Sequence, residues 1–164
     1  MRKRSKHRPK PVLRNPMAFV MENVALIKCH DAGDTMVTLQ AKNHAAIEAV
    51  RIGEATRLHV DRLISMVNVT DSILSLYGRG IEFAAEIRAG HEAVMMVGRR
   101  GLARGRFLFT GPELDAVRTL AEIHDAQLEI TTLGEMERAV EYVKAKTRSG
   151  HAKAITPLEA SHAG

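Results

Sequence analysis

The residues best suited to chemistry stand at the start of the chain. The stretch RKRSKHRPKPVLRNP, residues 2–16, holds seven Lys or Arg and no acid. Its three prolines, Pro9, Pro11 and Pro16, keep such a string extended. Cations spaced every one to four residues along an extended backbone can follow the phosphates of a nucleic acid, with released counterions supplying the affinity. The candidate contacts are Arg2, Lys3, Arg4, Lys6, Arg8, Lys10 and Arg14. Two plainer readings compete: a solvated tail with no dedicated partner, and docking on an acidic protein surface.

A second basic cluster, GRRGLARGRF at residues 98–107, sets Arg99, Arg100, Arg104 and Arg106 among three glycines. Arginine offers forked donors to phosphate, and glycine lets the backbone approach it closely. The cluster is not a Walker sequence, because no Lys-Ser or Lys-Thr follows its last glycine. The competing reading is a flexible inter-helix loop with solvated arginines.

Two polar residues fall on apolar stripes. His124, in AEIHDAQLE, and Asn43, in KNHAAIE, each cost stability in a core unless hydrogen-bonded. Both read as buried structural groups that could pair across the core and fix helix register. Metal chemistry finds little support. Glu122 and His124 are two residues apart and point to different sides of a helix. His44 and Glu48 are one turn apart, which suits a shared hydrogen bond better than a two-ligand metal site. Cys29 and His30 are adjacent in sequence only. No metal, cofactor or catalytic residue is assigned, and an enzyme built around His44, Glu48 and His124 is the least favoured reading. A helix-turn-helix over 57–78 is rejected, because its second helix would offer Asp71 and no Lys or Arg to a major groove.

The elements that must position these groups are helical. Of 24 basic residues, seven lie in the first 14 positions, leaving 17 against 19 acids in the remaining 150. The positive charge is therefore local, and the body is near neutral. A 164-residue chain makes one ordinary domain. Trp is absent and Tyr and Phe number two and four, so the core draws on Leu, Ile, Val, Met and Ala. The eight Met residues suit packing that tolerates rearrangement. The lone Cys29 forms no internal bridge, which fits a reducing cytoplasm. No apolar run approaches the ~20 residues that span a bilayer, and the prolines interrupt both a secretory h-region and the amphipathic helix of a mitochondrial signal.

The pattern predicts a first helix from Pro16, capped by Asn15, with Val20, Val24 and Ile27 inward, ending at HDAGD. A second runs from Asp34 or Thr35 to Gly53 with Met36, Leu39, Asn43, Ile47 and Val50 inward, and a third from Thr56 to Gly78. A fourth carries Phe83, Ile87, Val94 and Val97, with close packing at Gly90 and fraying near Gly98. TGPE at 110–113 and TLGE at 132–135 are capping boxes opening the last two helices. RFLFT at 106–110 reads as a short extended piece without a sheet. The fold class is all-α: a bundle of five to six helices over 16–148, a basic extended arm at 1–15 and a flexible tail at 149–164.

RKRSKHRPKPVLRNP, KNHAAIEAV, EIHDAQLE and RSGHAKAI resemble segments of small uncharacterised bacteriophage and prophage proteins, along most of the chain to about residue 155. The resemblance implies a bacterial host cytoplasm and carries no activity or catalytic residue. The expectation is a non-enzymatic phage accessory protein. Its arm, helped by the 98–107 cluster, binds DNA or RNA through phosphates with weak sequence preference. The body sets a homo-oligomer or recruits a partner. The alternative is a protein-binding modulator of a host enzyme or defence system, recognising its target through a Met-rich helical face.

Overall fold

The computed structural model describes residues 25–150. Among them are five α-helices: α1, Asp34–Ile52; α2, Arg57–Tyr77; α3, Ala84–Arg104; α4, Gly111–Ile130; and α5, Leu133–Arg148. Short 3-10 turns at Cys29–Ala32 and Ile81–Phe83 complete the secondary structure. The fold is thus an all-α bundle. The basic arm, residues 16–24 of the expected first helix and the tail from 151 lie outside the described residues.

Local chemistry sets the helix ends. Thr110 accepts from the Glu113 N–H at 3.4 Å while Glu113 accepts from the Thr110 N–H at 2.8 Å. Thr132 and Glu135 repeat the arrangement at 3.3 and 2.9 Å. Both predicted capping boxes are therefore present. At Thr56 the returning acceptor is His59 Nδ1, 3.0 Å from the Thr56 N–H. Gly53 and Gly105 end α1 and α3 in left-handed geometry, where a β-carbon would be strained.

Helix α2 is central: it packs against α1, α3, α4 and α5. Its buried face runs through Val60, Leu63, Met66, Val67, Thr70 and Ile73. One core joins Ile47, Val50, Leu63, Val67, Ile87, Val94, Val97, Val117 and Leu120. A second, smaller core holds Cys29, Ile73, Leu128, Met136 and Ala139. Cys29 is a free thiol, tied in by its N–H to the Thr131 carbonyl at 2.8 Å. Burial, helped by nearby Glu135, pushes its pKa up, so it is a packing group rather than a nucleophile.

Three expectations are corrected. The first helix does not continue to HDAGD: helical geometry ends at Ala25, and Ile27 is exposed. There the Ile27 carbonyl accepts from the Leu133 N–H at 2.8 Å, and Lys28 bridges to Thr132, pairings an α-helix would forbid. Phe83 stands in the 3-10 turn before α3 and is exposed, not inward. Finally, α3 does not fray near Gly98 but runs unbroken to Arg104, with Gly98 and Gly101 buried. The Phe107 ring occupies the space a Gly101 side chain would need, so tertiary packing overrides glycine's poor helix propensity. Gly90 behaves as expected: a β-carbon there would sit 2.6 Å from Leu120 Cβ, which is how α3 and α4 approach so closely. RFLFT contributes an isolated bridge, Phe107 to Ala55, with Phe107 and Phe109 buried and Leu108 turned outward.

Candidate functional site

The arm residues Arg2, Lys3, Arg4, Lys6, Arg8, Lys10 and Arg14 lie outside the described residues. The second cluster is dispersed by helix geometry. Arg99, Arg100 and Arg104 ride on the last turns of α3, and Arg106 follows its Gly105 cap. Arg100 is engaged within the protein. Its Nη1 and Nη2 donate to the two Glu113 oxygens at 2.9 and 2.5 Å, and Nη2 also donates to the Leu108 carbonyl at 2.8 Å. Burial opposes ionisation of Glu113, but Arg100 and the Thr110 bonds outweigh it and hold the carboxyl below its ordinary range. Arg100 thus locks the α3–α4 connection. Arg104 and Arg106 are exposed and have no acid partner among the described residues. Arg106 folds its guanidinium over Gly53, at the α1–α2 turn.

Arg99 faces elsewhere. It lines a groove of about 650 Å³ whose floor is α2 and whose walls are α3 and α5. The groove exists because α2 packs on both walls while α3 and α5 make no substantial contact with each other. Arg88, His91, Met95 and Met96 share the α3 wall with Arg99, and Val143, Lys146 and Thr147 form the α5 wall. Asn68, Asp71 and Ser72 lie on the floor. Asp71 holds His91 Nδ1 at 3.1 Å. The Arg99 Nε is shielded from solvent and has no hydrogen-bond acceptor among the described residues.

The buried polar groups expected to be structural are indeed buried, Asn43 at 2% and His124 at 1% exposure. They do not pair with each other. His124 Nδ1 meets the Thr70 hydroxyl at 2.9 Å, and that hydroxyl donates to the Met66 carbonyl at 2.9 Å. Thr70 therefore accepts from the ring, which fixes the Nδ1–H tautomer. Burial holds the His124 pKa at about 4. His44, exposed on α1, reaches Asp125 Oδ2 at 2.8 Å, while Glu48 turns to Arg51. No His44–Glu48 pair forms. Among the described residues no three His, Cys, Asp or Glu side chains are grouped to hold a metal.

Sequence reasoning missed the most extensive polar cluster. Arg79, in the α2–α3 turn, donates to both Glu135 oxygens at 2.8 and 2.9 Å and to the Thr131 hydroxyl at 3.0 Å. Its guanidinium lies 5.2 Å from the Tyr77 ring centre. The Arg79 bonds, joined by those from Thr132, bring Glu135 down to about 2. It also missed the groove. Arg88, Glu92, Met95 and Arg99 recur at helical spacing on one face of α3, the one local sign that was available. The opposite wall is 40 or more residues away.

Among the described residues no helix is long and apolar enough to cross a membrane. No protein-family model, curated protein or solved structure matches the chain.

Proposed function

We propose that the protein is a non-enzymatic nucleic-acid-binding accessory protein that contacts DNA or RNA mainly through phosphates, in the bacterial cytoplasm and phage setting its sequence resemblance implies. One observation carries this reading: seven cations and no acid fall within residues 2–16, beside a body with more acids than bases. Arg104 and Arg106 support it as exposed cations without an acid partner among the described residues. Arg100 is better assigned to the fold, since Glu113 neutralises it.

The test is a salt series of binding to generic duplex DNA and RNA, with and without residues 1–14. Six or seven phosphate contacts predict an affinity loss of roughly a thousandfold or more between 50 and 200 mM salt. Removing the segment should flatten that dependence. Unchanged affinity at low salt after the removal refutes the reading.

A second reading, a protein-binding modulator, is favoured by Met95 and Met96 lining an open groove. A stoichiometric partner retained from nuclease-treated host lysate would support it.

A further inference from the structure

The groove between α2, α3 and α5 has a chemistry that phosphate tracking by the leading segment does not use. Its volume, about 650 Å³, suits a ligand of nucleotide size. Arg88, Arg99 and Lys146 line it. None of the three is ion-paired among the described residues; Lys146 rests instead 4.5 Å from the Tyr142 ring centre. The shielded Arg99 Nε lacks an acceptor among the described residues, and an unpaired donor removed from water is costly. An oxyanion in the groove that draws the guanidinium round gives that donor a partner, and the arginine fork suits phosphate in particular.

The remaining lining suits the rest of a nucleotide. Asn68 makes no side-chain hydrogen bond among the described residues and offers both a donor and an acceptor, the pair a base edge requires. Met95 and Val143 supply apolar contact for a base face. Glu92 is not ion-paired among the described residues and can accept from ribose hydroxyls, a role carboxylates fill in dinucleotide sites. Asp71 Oδ2 lies 3.1 Å from His91 Nδ1, so the imidazole can present its Nε2 to the ligand.

We propose that this groove binds a nucleoside monophosphate unit, with the phosphate on Arg88, Arg99 and Lys146 and the base between Asn68 and the Met95–Val143 walls. The unit is either a free mononucleotide or the phosphorylated end of a strand. The site stands whether or not the leading segment binds nucleic acid.

The full-length protein is titrated calorimetrically with the four ribonucleoside monophosphates, the matching nucleosides, inorganic phosphate, and a pentanucleotide with and without a 5′-phosphate. At least one monophosphate should bind about tenfold or more tightly than its nucleoside, because one charge-assisted contact is worth about that factor. Arg99→Gln should weaken it about tenfold with circular dichroism and Tm unchanged. Preference for the phosphorylated pentanucleotide identifies a strand end, and preference for the free monophosphate identifies a small-molecule site. Neutralising the cations of residues 2–14 should leave monophosphate affinity within about twofold, so failure of the nucleic-acid reading and failure of this one are distinguishable. Should Arg99→Gln unfold, amide shift mapping of the unaltered protein decides: monophosphate-induced shifts must centre on 64–72, 88–99 and 143–147. Absence of binding by every monophosphate, equal binding by Arg99→Gln, or shifts centred elsewhere overturns the proposal.

Discussion

Replacing Glu135 by Gln should separate the charge of this residue from its capping role. Glutamine can still return to the Thr132 N–H as a capping-box partner, so the change removes chiefly the ionic link to Arg79. In the folded protein the Arg79 bonds, with those from Thr132, hold the Glu135 carboxyl at about 2, against an ordinary value of 4.5. A folded pKa below the unfolded one means the unfolded chain binds the proton more readily. The stabilisation is therefore complete above about pH 5 and is lost as pH falls through 4.5 toward 2. The shift corresponds to ~3 kcal/mol as an upper figure at 1.36 kcal/mol per pKa unit. The side chains of Arg79 and Glu135 are 23% and 18% exposed, so solvent screening brings the expected value to about 1–2 kcal/mol. Urea unfolding of the parent, Glu135→Gln, Arg79→Gln and the double variant gives the coupling energy directly. It should be near that value at pH 7 and less than half of it at pH 3. A coupling below about 0.3 kcal/mol at pH 7, or one that does not change with pH, refutes the reasoning.

His124, held at about 4 by burial, makes a second pH-dependent contribution: stability is full above pH 6.5 and falls by about 2 kcal/mol by pH 5, as the unfolded histidine takes up its proton. His124→Leu should flatten the urea midpoint between pH 7.5 and 5, and an unchanged slope would show that another group carries it. Thr70→Val strands the ring N–H and should cost about 1–3 kcal/mol at pH 7, read by the same unfolding curves. Gly90→Ala and Gly101→Ala should lower Tm, because the crowding against Leu120 and the Phe107 ring outweighs a helix-propensity gain of ~1 kcal/mol. A rise in Tm for either would mean that the neighbour yields freely. In Gly101→Ala, a compensating Phe107→Leu should recover part of the loss.

What the sequence determined by itself was everything governed by neighbours within about one helical turn. Thr110 with Glu113 and Thr132 with Glu135 announce their helices because both partners of each box lie three residues apart. Gly53 and Gly78 announce ends because a left-handed cap is a local need. The stripes of Ile47 and Val50, or Val117, Ala121 and His124, follow from helical periodicity alone, so the burial of Asn43 and His124 was legible too. The concentration of positive charge in residues 2–16 is likewise a property of the string.

Only the tertiary structure decided which polar groups meet. Thr70 rather than Asn43 reaches His124 across 54 positions, Arg79 finds Glu135 across 56, and His44 finds Asp125 across 81. No spacing rule links such residues, because their approach depends on how four helices cross. The same holds for Gly101, whose place in an unbroken helix is secured by the Phe107 ring beyond the helix end. It holds for Arg99 and Lys146 as well. A groove is the space left where α3 and α5 both pack on α2 without closing on each other, and packing of that kind is a property of the assembled bundle rather than of any one segment.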